Sequence, residues 1–215
     1  MRFPLIMLTL LPALLIPSLT LALPSPSSLN ELIPRTSETI TLITSLVNVG
    51  LNAIKLDEAV RSFTPDDVDE IKTRSTNLEH SLDQALSTTR STGNLDSLSS
   101  KKTTEICVPL KPVFADLLKV ISDKVSVALF QMGFLEKGFS GRTVLIHAQR
   151  NELFEADYGD DMLQTLISLR VRSRALAKAL KGITRELDGA LIIFLEDLVD
   201  KQFVLTIAEY KMNRK

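Results

Sequence analysis

The chain has 215 residues, a formal net charge of −1, two histidines, one cysteine and no tryptophan. That length suits one domain, and a charge so close to zero supplies no broad positive field for nucleic acid. A single cysteine, Cys107, excludes an internal disulfide and leaves either a buried small apolar residue or a thiol that pairs between molecules.

Arg2 precedes an apolar run from Pro4 to Ala22, and Thr20-Leu21-Ala22 offers small residues where a signal peptidase reads. The pattern predicts a secretory signal over residues 1–22, cleaved after Ala22. Prolines within the run and the Ser/Pro-rich exit over Pro24–Ser28 argue against an uncleaved membrane anchor. Residues 23–36 read as a Ser/Pro-rich N-terminal segment. No N-x-S/T sequon occurs, so N-glycosylation is not expected.

A first helix is predicted from Ser37 to Phe63, capped by Thr36 or Ser37 and kept from starting earlier by Pro34. Ile40, Ile43, Val47, Leu51 and Ile54 step along it by three and four. "SFTPDD" marks a boundary: Thr64 suits a cap, Pro65 the first helical position, and Asp66 and Asp67 the positive end of the helix dipole. The second helix carries Val68, Ile71, Ser75, Leu78, Leu82 and Ala85 as one stripe. "STTRSTGNLDSLSS" ends it in loop composition.

A third helix is predicted from near Ser97, with Ile106, Leu110, Val113, Leu117, Val120, Ile121 and Val125 on its apolar face. Pro109 and Pro112 predict a kink or a fresh start near Pro109. Gly133, Gly138 and Gly141 mark its end, and residues 139–160 read as a divergent loop or insertion. A fourth helix follows, with Met162, Leu166, Leu169, Ser173, Leu176 and Leu180 on one face. The last is predicted to start at a cap on Thr184 and to bury Leu187, Leu191, Phe194, Leu198, Leu205 and Ala208. The apolar run in this last helix is cut by Glu196, Asp197, Asp200 and Lys201, which is costly in hydrocarbon, so no second membrane segment is predicted. Residues 211–215 form a basic tail without the hydrophobic stretch of a lipid-anchor signal. Amphipathic helices joined by short turns make an all-α antiparallel bundle of about five helices.

The catalytic search is empty. His80 and His147 lack the convergent ligands of a metal site. "GFSG" at Gly138–Gly141 puts Arg142 where a serine-hydrolase elbow needs a second glycine. No enzyme activity, cofactor or metal is expected. Arg170, Arg174, Lys178, Lys181 and Arg185 follow a three-and-four spacing about 120° from the apolar face. They read as a solvated face or as a docking strip for anionic headgroups, acidic glycans or carboxylates.

"ITLITSLVNVGLNAIKLDEAVRSF", "LKPVFADLLKVISDKV", "LISLRVRSRALAKAL" and the closing "TIAEY" resemble, in apolar spacing and order, the fungal hydrophobic surface-binding protein A family. That family includes cell wall galactomannoproteins. The likeness covers most of Ile40–Tyr210. It implies a secreted, non-catalytic bundle that binds hydrophobic surfaces, brings secreted esterases to them, or holds fatty acids in a central apolar tunnel. Residues 139–160 depart from the family pattern, so the resemblance does not fix the geometry between the third and fourth helices; the lack of a Ser/Thr-rich C-terminal tail weighs against covalent or glycan-mediated retention in a cell wall. Lining residues expected for such a tunnel are Ile43, Val47, Leu78, Leu82, Phe114, Leu117, Leu166, Leu169, Leu191 and Phe194. Expected partners are fatty acids or other apolar ligands, hydrophobic surfaces, secreted esterases and cell-wall glycans. The alternative is a wall component or interaction protein with a filled core.

Overall fold

The computed structural model describes residues 37–64, 67–126 and 158–213, which form six α-helices. These are α1 (Ser37–Arg61), α2 (Val68–Ser91), α3 (Ser97–Cys107), α4 (Leu110–Ser126), α5 (Gly159–Ile183) and α6 (Glu186–Asn213). The expectations for residues 1–36, Pro65, Asp66, Gly133, Gly138, Gly141, His147, most of 139–160 and the last two residues lie outside the described part. The remainder is an all-α bundle.

Several boundaries have a local cause. Thr64 does not cap α2: its hydroxyl donates to the Asp67 carboxylate at 2.6 Å, while the Asp67 N–H donates to the Thr64 carbonyl at 2.9 Å. The expected third helix is two, α3 and α4, divided at Val108–Pro109 where proline interrupts the backbone ladder. Asp96 caps α3 by accepting from the Ser99 N–H at 2.8 Å. Helix α5 starts at Gly159, inside the stretch expected to be loop, and α6 runs through Asn213, so Lys211–Asn213 are helical.

Thr184 does not cap α6 either. Its hydroxyl donates backward to the Leu180 carbonyl at 2.9 Å. The missing acceptor comes from α3. Ser100 Oγ accepts the Arg185 N–H at 2.9 Å and donates to the Asp188 carboxylate, tying the α5–α6 turn to α3.

The five long helices close a ring in the order α1, α2, α5, α6, α4 and back to α1, with short α3 against α1 and α6. The turns α1–α2 and α5–α6 join antiparallel neighbours. Cross-contacts give the other directions: Lys72 pairs with Asp161 and Arg172 with Asp83, so α2 and α5 run parallel. Phe114 meets Phe203 and Leu118 meets Thr206, so α4 and α6 are parallel too.

Most predicted stripes face the ring's interior. Ile71, Ser75, Leu78, Leu82 and Ala85 of α2 are buried, as are Val113, Leu117, Val120 and Ile121 of α4 and Met162, Leu166, Leu169, Leu176 and Leu180 of α5. Helix α1 differs. Ile43 and Val47 are buried, but Ile40 and Leu51 are exposed, and Leu42, Leu46, Val49, Ala53 and Leu56 take the central positions. It is the one described helix long and apolar enough to cross a membrane, and 56% of its most apolar window is buried against the other helices.

Helix α6 is the larger correction. Its buried face is Ile192, Val199, Phe203, Thr206, Ile207 and Tyr210. The predicted stripe points outward: Leu187 is 86% exposed, Phe194 58% and Leu205 57%, with Leu191 also exposed. The helix is apolar on two opposite sides, so periodicity fits both and burial across the ring decides between them.

Candidate functional site

Two cavities are relevant, and they differ in chemistry. The wider, about 370 Å³, is a polar cleft between α2 and the start of α5, with Lys72, Glu79, Tyr158, Asp161 and Gln164 on its walls. Lys72 sits 5.3 Å over the Tyr158 ring and 3.4 Å from Asp161. A cleft of paired charges and hydroxyls offers an apolar ligand little.

The other cavity is nearly all apolar and lies between the helices of the ring. Leu46 and Val49 reach it from α1, Leu82 from α2, and Leu110 and Phe114 from α4. Leu176, Ala177 and Leu180 close it from α5, and Ile192, Leu195 and Val199 from α6. Cys107, at the end of α3, completes the wall; burial pushes its thiol up to about 12, so it is an uncharged apolar surface at neutral pH. The cavity's volume is about 80 Å³. An apolar cavity of about 150 Å³ stays dry and takes a benzene, so a long acyl chain enters this one only by moving lining side chains.

Three polar groups interrupt the wall: Lys111, Ser173 and Glu196. Lys111 is half-buried in the first turn of α4 and has no acidic partner among the described residues. Ser173 donates its hydroxyl to the Arg170 carbonyl at 3.0 Å. Glu196 is 13% exposed, and its Oε1 makes no hydrogen bond, the nearest cation being Arg174 Nε at 3.6 Å. Burial, and secondarily the negative charge of Asp200, holds the Glu196 carboxyl above the usual range, against the pull of Arg174.

Of the ten expected lining residues, Leu82 and Phe114 line this cavity. Ile43, Val47, Leu78, Leu117, Leu166 and Leu169 are buried in the surrounding core. Leu191 and Phe194 face away, and their neighbours Ile192 and Leu195 take the interior places because the ring packs α6 by its other side. Cys107, Lys111 and Glu196 were absent from the expected set. A lone lysine between two prolines and a glutamate inside an apolar run carry no periodic signal.

The basic strip is also divided. Arg170 donates through Nε and Nη2 to both oxygens of Asp200, at 2.6 and 2.9 Å. Arg174 lies 3.6 Å from Glu196 and 3.8 Å from Asp200. Arg170 is thus committed to Asp200 across the α5–α6 seam, while Arg174 stands close to both carboxylates with its side chain 47% exposed. Lys178, Lys181 and Arg185 remain exposed. Among the described residues no group of histidine, cysteine or carboxylates is arranged to hold a metal.

No family model matches the chain, and no curated protein matches it in sequence. Solved structures do match in shape. AFMP4P, in complex with palmitic acid, superposes with a TM-score of 0.67 at 21% identity, covering 80% of this chain and 99% of that one. Ligand-binding domain 1 of the Penicillium marneffei MP1 protein, complexed with arachidonic acids, gives 0.65 at 10% identity over 80% and 98%. Its ligand-binding domain 2, complexed with multiple arachidonic acids, gives 0.64 at 10% identity over 83% and 97%. The chain shares the fold of these fungal ligand-binding domains over nearly their whole length.

Proposed function

We propose that this chain is a secreted, non-catalytic carrier of lipid acyl chains, with the hydrocarbon in the apolar cavity and a carboxylate head beside Lys111. The observation that carries this is the cavity itself: an apolar space between packed helices, with one unpaired cation among the described residues of its wall. Three chains of the same fold were solved with fatty acids in place. The resemblance to the hydrophobic surface-binding protein A family agrees, and residues 1–22 support secretion.

Each buried methylene of a ligand gains about 0.8 kcal/mol, and widening the cavity offsets part of that gain through lost side-chain contacts. Glu196 sets the sign of a pH effect. Arg174, Lys178, Asp197 and Asp200 surround it, and Lys111 faces the same cavity from α4. Once ionised, Glu196 repels a carboxylate ligand, so Glu196→Gln should bind a fatty acid more tightly than the parent above the raised Glu196 range, and the two should converge below it.

The test is native mass spectrometry of the mature chain from Leu23, secreted by a eukaryotic host, with displacement of a fluorescent fatty acid. A bound fatty acid, loss of loading in folded Leu82→Arg, and weakening by Lys111→Ala of a fatty acid but not of its alcohol are expected. The cavity's small volume favours a second function, a filled-core wall or interaction protein. An apo mass together with no displacement favours that alternative and overturns lipid carriage.

A further inference from the structure

The outer stripe of α6 repeats with spacings of four and three from Leu187 to Met212, the heptad signature of a coiled-coil seam. It lies opposite the face packed into the ring, and Leu187, Leu191, Phe194, Leu205 and Met212 are all exposed. A flat apolar surface has no need of so narrow a seam. A partner helix does, because knobs-into-holes packing rewards the 3.5-residue period.

The stripe mirrors itself about the bond between Val199 and Asp200. Under that reversal Leu191 falls against Ala208, Phe194 against Leu205, and Leu198 against Lys201. Lys201 is the one charged member of the stripe, and neither it nor nearby Asp197 has an ion-pair partner among the described residues. In an antiparallel pair of α6 helices, Lys201 of one copy packs beside Leu198 of the other. Asp197 of that second copy then lies on the same flank, and the twofold makes this contact twice. A parallel pair instead sets the two Lys201 ammonium groups against each other. The geometry points to a twofold homodimer of this chain through antiparallel α6 helices, with paired Lys201–Asp197 contacts at its centre.

The seam is about 40 Å long at 1.5 Å per residue. With a width of about 10 Å it covers about 400 Å² on each copy, half of the roughly 800 Å² per partner of a standard interface. The dimer therefore dissociates on dilution. It forms whether or not a ligand occupies the interior, so its test is separate from that of lipid carriage.

The test is sedimentation of the mature, lipid-free chain between about 1 and 500 µM, a span that brackets a micromolar dissociation constant. A shift from monomer to dimer is expected, lost in Lys201→Glu and restored in the charge-exchanged Asp197→Lys/Lys201→Glu variant. Both positions are exposed, and unchanged circular dichroism verifies the fold. As a second probe, mixing Phe194→Cys chains with Leu205→Cys chains should give a mixed disulfide dimer in preference to either homodimer. A monomer at every concentration, a dimer indifferent to Lys201→Glu, or a monomer that only adsorbs to oil droplets through this stripe overturns the inference.

Discussion

Helices α5 and α6 share a two-residue turn and pack along each other, yet their sequences inform unequally. Helix α5 has one apolar stripe, and Met162, Leu166, Leu169, Leu176 and Leu180 are all buried where that stripe predicts. Helix α6 has two stripes on opposite sides, and the more regular of them, from Leu187 through Phe194 to Leu205, faces out. Periodicity reports the angle between residues, not the direction of the core. With one stripe the two questions have the same answer; with two, only the neighbouring helices supply it.

The sharpest way to break this comparison is a pair of substitutions on the two faces of α6. Phe203 is fully buried and packs on Phe114 with ring centroids 6.3 Å apart. Phe203→Ala should cost about 3–5 kcal/mol in denaturant unfolding, while Phe194→Ala should stay within about 0.5 kcal/mol, as exposed positions do. Equal losses would mean that both faces are covered in the monomer. A matched pair across the hairpin follows. Leu166→Ala on α5 should cost about 2–5 kcal/mol by the cavity it leaves, and Leu191→Ala on α6 much less under the same conditions.

The seam between the helices gives a smaller effect. Arg170→Ala removes a two-point contact to Asp200 and should lower stability by about 1 kcal/mol. Asp200 is held below the usual aspartate range, chiefly by its hydrogen bond from Arg170. Its stability is therefore present above the ordinary aspartate value and lost as pH falls through the lower folded value. Glu196 has the opposite sign. Its raised carboxyl favours the folded state below the ordinary glutamate value, and that contribution is lost as pH rises through the folded value. Thermal melts of Glu196→Gln should show the smallest effect: a gain in Tm over the parent near about pH 8 that shrinks near about pH 4. A gain independent of pH would place that carboxyl in water.

Helix order, the break at Pro109 and the faces of α2, α4 and α5 were legible because each depends on residues within a few turns. Leu82 and Phe114 were found at the cavity for the same reason. Leu191 and Phe194 were misplaced because they sit on the better of two stripes. In α1, Ile40 and Leu51 fit the spacing but lie at its outer edge, since α2, α3 and α4 surround that helix and bury several faces. Arg170 looked like surface charge because its partner, Asp200, is thirty residues away in sequence. The cap on α6 was invisible too, as Ser100 supplies it from another helix.

Cys107 turns the wall of the cavity into a built-in clock. Cys107 as a whole is only 7% exposed, and burial holds its thiol protonated up to about pH 12, so a thiol reagent gains on it only while the surrounding helices part. The alkylation rate of the unmodified protein thus records how often the interior breathes, and an occupant that fills the space should slow that rate without any label having been introduced.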